Sequence, residues 1–151
     1  MCIEIRLKAT FIPILLLSLI ISCNSRYMHY QTSIEERMKV FMPEILDNYA
    51  SVIIIPGTGC PGCISNAEAY CFKHIDDSEK YYIFTNTLSV KLLSNRFKKQ
   101  NIEIQTKNNV FVDTNNLFFV ENTWECEYPF IFTISNGKIE KTNLLSNYVQ
   151  D

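Results

Sequence analysis

The chain has 151 residues, 47% of them apolar and 13% aromatic, enough to fill the core of one domain of common size. Its 14 basic and 16 acidic residues make no positive field of the kind that phosphate backbones or anionic membranes select, which argues against nucleic acid as a partner. Gly and Pro number only 4 and 5, and no repeat or low-complexity segment breaks the chain.

The first residues read as a targeting segment. Arg6 and Lys8 form a basic start, and Phe11 to Ile21 is an apolar stretch too short to span a bilayer comfortably. It ends Ile20-Ile21-Ser22-Cys23, which resembles a bacterial lipobox: two branched aliphatics, a small residue, then the cysteine that becomes the lipid-bearing first residue after cleavage. Residues 1–22 are then a lipoprotein signal peptide and Cys23 the lipid attachment site. Asn24 stands where an inner-membrane retention signal would usually place Asp, so the resemblance leans toward the outer membrane of the cell envelope. Loss of Glu4, Arg6 and Lys8 leaves 12 basic and 15 acidic residues, a net charge of −3. Cys60, Cys63, Cys71 and Cys126 remain, in an oxidising compartment.

Residues 23–32 are polar and aperiodic, as a tether to the lipid should be, which puts the domain at residues 33–151. Ser33-Ile34-Glu35-Glu36 reads as a capping box, and Ile34, Met38, Phe41 and Ile45 continue a helical stripe that Pro43 must kink or divide. Ser51 to Ile55 has the branched-aliphatic run of a strand buried on both faces, stopped by Pro56-Gly57-Thr58-Gly59. From Cys60 the pattern becomes helical through Ile64, Ala67, Cys71 and His74, until Asp76-Asp77-Ser78 breaks it. Lys80 to Thr85 reads as a second buried strand. Ser89 to Gln100 reads as a helix with Val90, Leu93 and Phe97 inward and Lys91, Arg96, Lys98 and Lys99 on a solvated outer face. Apolar runs at 102–104, 110–112 and 117–120, separated by Asn-rich turns, suggest one or two more strands. Phe130 to Ile134 is another strand, Ser135-Asn136-Gly137 a strong hairpin turn, and Lys138 to Lys141 the return. Thr142 can cap a last helix carrying Leu144, Leu145 and Tyr148. Buried strands alternating with helices imply an α/β fold with parallel pairing in mid-sheet and an antiparallel hairpin at the edge.

The chemistry concentrates in Cys60-Pro61-Gly62-Cys63. A thiol that attacks disulfides must be partly ionised near neutral pH, and the first turn of a helix offers free N–H groups and the positive dipole end to a thiolate. Cys60 stands there. Cys63, one turn later on the same face, can reach it and resolve a mixed disulfide. Pro61 suits a first turn because it has no N–H to lose, and Gly62 lets a partner backbone approach.

The preceding strand, the following helix and the downstream stretch Pro129-Phe130-Ile131-Phe132-Thr133-Ile134-Ser135-Asn136-Gly137-Lys138-Ile139 together resemble the thioredoxin family over roughly residues 51–149. The resemblance implies a three-layer sandwich with a mixed central sheet flanked by helices. It also implies that Pro129 is a cis-proline beside the redox pair and that Tyr128 lines the substrate groove. The chain departs from the family in four places. Gly59 replaces the usual Trp before the first cysteine, and Ile54 stands where many members bury an acid that relays the resolving cysteine's proton. An insertion is implied, most plausibly between Gln100 and Trp124, and the first strand of the full fold is not evident.

The remaining candidates are weaker. Cys71 reads as a buried small hydrophobe, with a disulfide to Cys126 or a second redox role for Cys126 as alternatives. Cys60, Cys63, Cys71 and His74 are metal-ligand types, but one helix cannot bring them to one ion, so no metal or other cofactor is implied. His29 lies in the tether, and His74 suits a helix end. Glu125 and Glu127, beside Trp124, could move protons for Cys63. The expected function is a thiol–disulfide oxidoreductase of the cell envelope whose partners are protein thiols or disulfides. The alternative is a redox-inactive binding module of a surface or periplasmic lipoprotein complex, with the same bond serving structure.

Overall fold

The computed structural model describes residues 27–121 and 123–148; the expected signal peptide, the expected lipid site at Cys23 and the start of the expected tether lie outside them. Helix α1 (Met28–Phe41) and the short α2 (Pro43–Asn48) come first. They are followed by β1 (Ser51–Pro56), α3 (Pro61–His74), β2 (Lys80–Thr85), α4 (Val90–Lys99), β3 (Val110–Asp113), β4 (Phe130–Ser135) and β5 (Lys138–Leu144). The five strands form one sheet in the order β3-β2-β1-β4-β5. β1 pairs in parallel with β2, and β2 with β3, while β4 runs antiparallel to both β1 and β5.

The layers follow from strand chemistry and from handedness. β1 and β2 are buried on both faces over five successive residues each, so alternate side chains feed two cores. Val52, Ile54, Tyr81, Ile83, Phe130 and Phe132 join Tyr30, Ile34, Met38, Ile45 and Leu46 of α1 and α2 on one face. On the other, Ile53, Ile55, Tyr82 and Phe84 join Ala67 and Cys71 of α3 and Leu93 and Phe97 of α4. The steps from β1 to β2 and from β2 to β3 move the same way across the sheet, so crossovers of one hand put α3 and α4 on a single face. The result is the expected three-layer, thioredoxin-like α/β sandwich with a mixed sheet.

Several local expectations are corrected. The tether does not run to Thr32, and Ser33 is not a cap, because α1 already begins at Met28. Tyr30 is 2% exposed and packs on the rings of Phe130 and Phe132, while Gln31 hydrogen-bonds the Ile139 carbonyl and accepts from Thr142. Contacts distant in sequence make this segment helical, and no local pattern announces them. Pro43 divides the first stripe into two helices, starting α2 at its N1 position. Of the runs at 102–120 only Val110–Asp113 is a strand. Residues 104–106 make a 3-10 turn, and the loop 114–120 is organised instead by buried Asp113, which accepts from the Thr85 hydroxyl and the Leu117 and Phe118 N–H groups. That single strand, β3, lies between Gln100 and Trp124, where the resemblance implies an insertion, and among the described residues no strand precedes β1. Val90 is exposed in the first turn of α4, not inward. Among the described residues the last helix is absent: Thr142 lies within β5, which continues to Leu144 because β4 supplies a partner as far as Phe130, and a 3-10 turn, Leu145–Asn147, follows. The hairpin is as expected, with Asn136 at φ 51° and Gly137 at φ 70°, the left-handed pair that a tight two-residue turn requires.

Candidate redox site

Strand order reverses between β1 and β4, and in open α/β sheets the crevice beyond the carboxyl ends of the strands at such a switch is the usual site. β1 ends there at Pro56, and the loop 57–60 delivers Cys60 as the N-cap of α3. A disulfide joins Cys60 to Cys63 across a Cα–Cα distance of 5.3 Å. The Cys63 N–H donates to Cys60 Sγ at 3.4 Å, so the sulfur receives one of the helix's orphan first-turn donors. No acid occupies the first turn of α3, and Lys73 and His74 occupy its last, so no carboxylate in that first turn offsets its positive amino end. Pro61 and Gly62 are exposed and both cysteines half-buried.

Opposite lies the 3-10 turn Trp124–Glu127. The Cys60 N–H donates to the Glu127 carbonyl at 3.2 Å, and the two backbones meet at Gly59. There φ is +123°, and a Cβ would fall 2.3 Å from the Glu127 oxygen. The turn therefore admits only glycine beside it.

Cys63 opens on a cleft of about 50 Å³ whose walls include Asn66, Tyr128, Pro129, Leu144, Leu145 and Ser146. Tyr128 and Pro129 thus stand beside Cys63, the position that the resemblance implies for them. The cis bond does not: among the described residues no peptide bond is cis, so Tyr128–Pro129 is trans. Tyr128 is extended (φ −125°, ψ 145°), the region that a following proline favours. The turn before it already aims the chain so that Pro129 accepts from the Leu145 N–H at 3.0 Å and Phe130 enters the ladder opposite Ile54. Asn66, Leu144, Leu145 and Ser146 were not foreseen; the last three reach the cleft only because β5 runs to Leu144. On the other side of the disulfide lies a wider trough of about 380 Å³, walled by Gly57, Thr58, Gly59, Pro61 and Leu88 over the Glu68–Arg96 ion pair.

The other candidates lie elsewhere. Cys71 and Cys126 are free and buried, and they do not pair. Burial pushes the Cys71 thiol up, with the Glu68 charge adding to it. Burial and then the Glu127 charge raise Cys126, whose Sγ–H donates to the Thr123 carbonyl. Glu125 is buried and Glu127 exposed, and neither lines the Cys63 cleft. His74 sits at the far end of α3, its ring 4.4 Å from that of Tyr70. Burial lowers its pKa, as do Lys80 and Lys73. Among the described residues no group of three or more Cys, His, Asp or Glu could hold a metal ion.

What the fold and the site define together is a class of architecture: a thioredoxin-like α/β sandwich with a two-cysteine disulfide at the head of a helix. No family model, no curated protein and no solved structure matches the chain.

Proposed function

We propose that this protein is a thiol–disulfide oxidoreductase of the bacterial cell envelope, related to the thioredoxins and tethered by lipid on Cys23, with Cys60 as attacking and Cys63 as resolving sulfur. The observation that carries the reading is the Cys60–Cys63 bond capping α3, at the strand-order switch and partly open to solvent. In the reduced form, the Cys60 thiolate attacks a client disulfide and one client sulfur leaves. Cys63 then attacks Cys60 in the mixed disulfide and releases the second. Two electrons pass to the client, whose sulfurs take up the two protons that the pair gives up; the reverse sequence oxidises a client dithiol. Tyr128 and Pro129 are the protein's wall beside that exchange.

A second reading is favoured by the trans bond at Pro129: a binding module in which the bond merely pins the first turn of α3. One titration separates the two. Equilibrated against glutathione, an exchanging pair has a potential between about −120 and −270 mV, whereas a structural bond falls below about −300 mV. With an exchanging pair, Cys63→Ser accumulates a mixed disulfide through Cys60 that Cys60→Ser cannot form. A potential in the lower range, with no trapped adduct, establishes the binding module.

A further inference from the structure

The exposed large apolar side chains are not scattered. β1, β2 and β5 all point their carboxyl ends toward the disulfide. Loop 86–89 and the first turn of α4 follow β2 at that end, and the 3-10 turn and Tyr148 follow β5 there. The start of α1 is there too, since the Tyr27 ring lies 5.2 Å from that of Phe130, whose strand partner is Ile54. Met28 (57%), Leu88 (84%), Val90 (42%), Leu92 (59%), Trp124 (45%) and Tyr148 (40%) are therefore exposed around the end of the sheet that holds Cys60 and Cys63. Only Val40 and Phe41, at the far end of α1 about 20 Å away, are large exposed apolar residues elsewhere among those described.

The chain also enters the fold at this rim. Tyr27 lies 6.0 Å from the Trp124 ring, and Trp124 lies 5.7 Å from Tyr128, which walls the Cys63 cleft. Three residues separate Tyr27 from Cys23, four Cα–Cα steps that reach at most about 14 Å even fully extended. A lipid on Cys23 thus allows the rim to meet the bilayer, and Trp and Tyr with aliphatic neighbours are the side chains that headgroup interfaces favour. The net charge of −3 after cleavage gives no attraction to anionic lipid, so the surface that fits is zwitterionic.

We propose that this apolar rim seats on the zwitterionic lipid surface, so that the Cys60–Cys63 pair faces the membrane and its clients carry their thiols or disulfides at the bilayer surface. The inference rests on the lipid anchor and, for its clients, on the redox reading above. Trp124 is the sole tryptophan, so its fluorescence reports directly. The lipidated full chain is placed in phosphatidylcholine–phosphatidylethanolamine vesicles with brominated acyl chains. Seating predicts a blue-shifted Trp124 emission, quenching by the brominated lipid, and protection from aqueous iodide at least threefold greater than in the chain with Cys23→Ser. Leu88→Asp, at a site too exposed to affect folding, should cut the lipid quenching severalfold while the anchor remains. An anchored chain whose Trp124 is open to iodide and blind to brominated lipid overturns the inference, as does protection that appears only when a client protein is added. Failure of palmitate to label the chain in cells removes the anchor and the inference together. The Cys63→Ser trap reads redox exchange separately, so each failure is distinguishable.

Discussion

Gly59 concentrates the site's geometry in one residue. Its φ of +123° and the 2.3 Å between a notional Cβ and the Glu127 oxygen mean that Gly59→Ala must either strain the backbone or push the Trp124–Glu127 turn off the Cys60 N–H. We expect a stability loss of at least about 2 kcal/mol, read as a shift in urea midpoint, together with a changed potential of the Cys60–Cys63 pair; an unchanged midpoint would show that the turn yields freely. At this scale the sequence was informative about chemistry and silent about approach. Cys60 and Cys63 announce themselves by spacing and by the strand that precedes them. Nothing local distinguishes Gly59 as a contact point, because its partner is 68 residues away in the chain. Pro129 marks the converse failure: its place beside Cys63 is legible, but its isomer is set by the turn that feeds it, and the turn chose trans.

Among the elements, two ties across the layers are testable. Glu35 of α1 accepts from Lys39 and from the backbone N–H of Ile139 in β5. Burial alone would raise its carboxyl, but the hydrogen bonds from Lys39 and Ile139 outweigh it and hold the pKa below the ordinary value. A depressed carboxyl stabilises the fold fully above its unfolded pKa of roughly 4.3 and loses that contribution as pH falls through the folded value. Stability should therefore fall between about pH 5 and pH 3, and Glu35→Gln should flatten that fall in denaturant titrations; an identical pH profile would remove Glu35 from the account. On the other face, Arg96 of α4 grips both carboxylate oxygens of Glu68 in α3. Glu68 is buried and Arg96 nearly half exposed, so solvent moderates the effect. Arg96→Met should cost about 1–2 kcal/mol, and adding Glu68→Met should recover most of it, since an apolar pair leaves no stranded charge. Both helices were legible from their periodicity, but neither tie was, because it depends on which faces the crossovers bring together.

For the whole molecule, the central sheet could be read from the chain because β1 and β2 are runs of branched and aromatic residues and because Asn136-Gly137 dictates its own turn. The margins could not. Residues 28–32 have the polar composition of a tether, yet Tyr30 is a keystone between α1 and the antiparallel half of the sheet. Its ring rests on Phe130 and Phe132, and Gln31 beside it holds the edge strand at Ile139 and Thr142. The domain boundary is therefore a physical question with a direct answer. A chain starting at Tyr27 should melt cooperatively. One starting at Ser33 removes a fully buried aromatic and opens the edge of β5, at a cost of about 4 kcal/mol or more, and Tyr30→Ala within the longer chain should account for most of that loss. Equal urea midpoints for the two truncations would return the boundary to Ser33. A loss of the expected size would place the first turn of α1 within the folding unit.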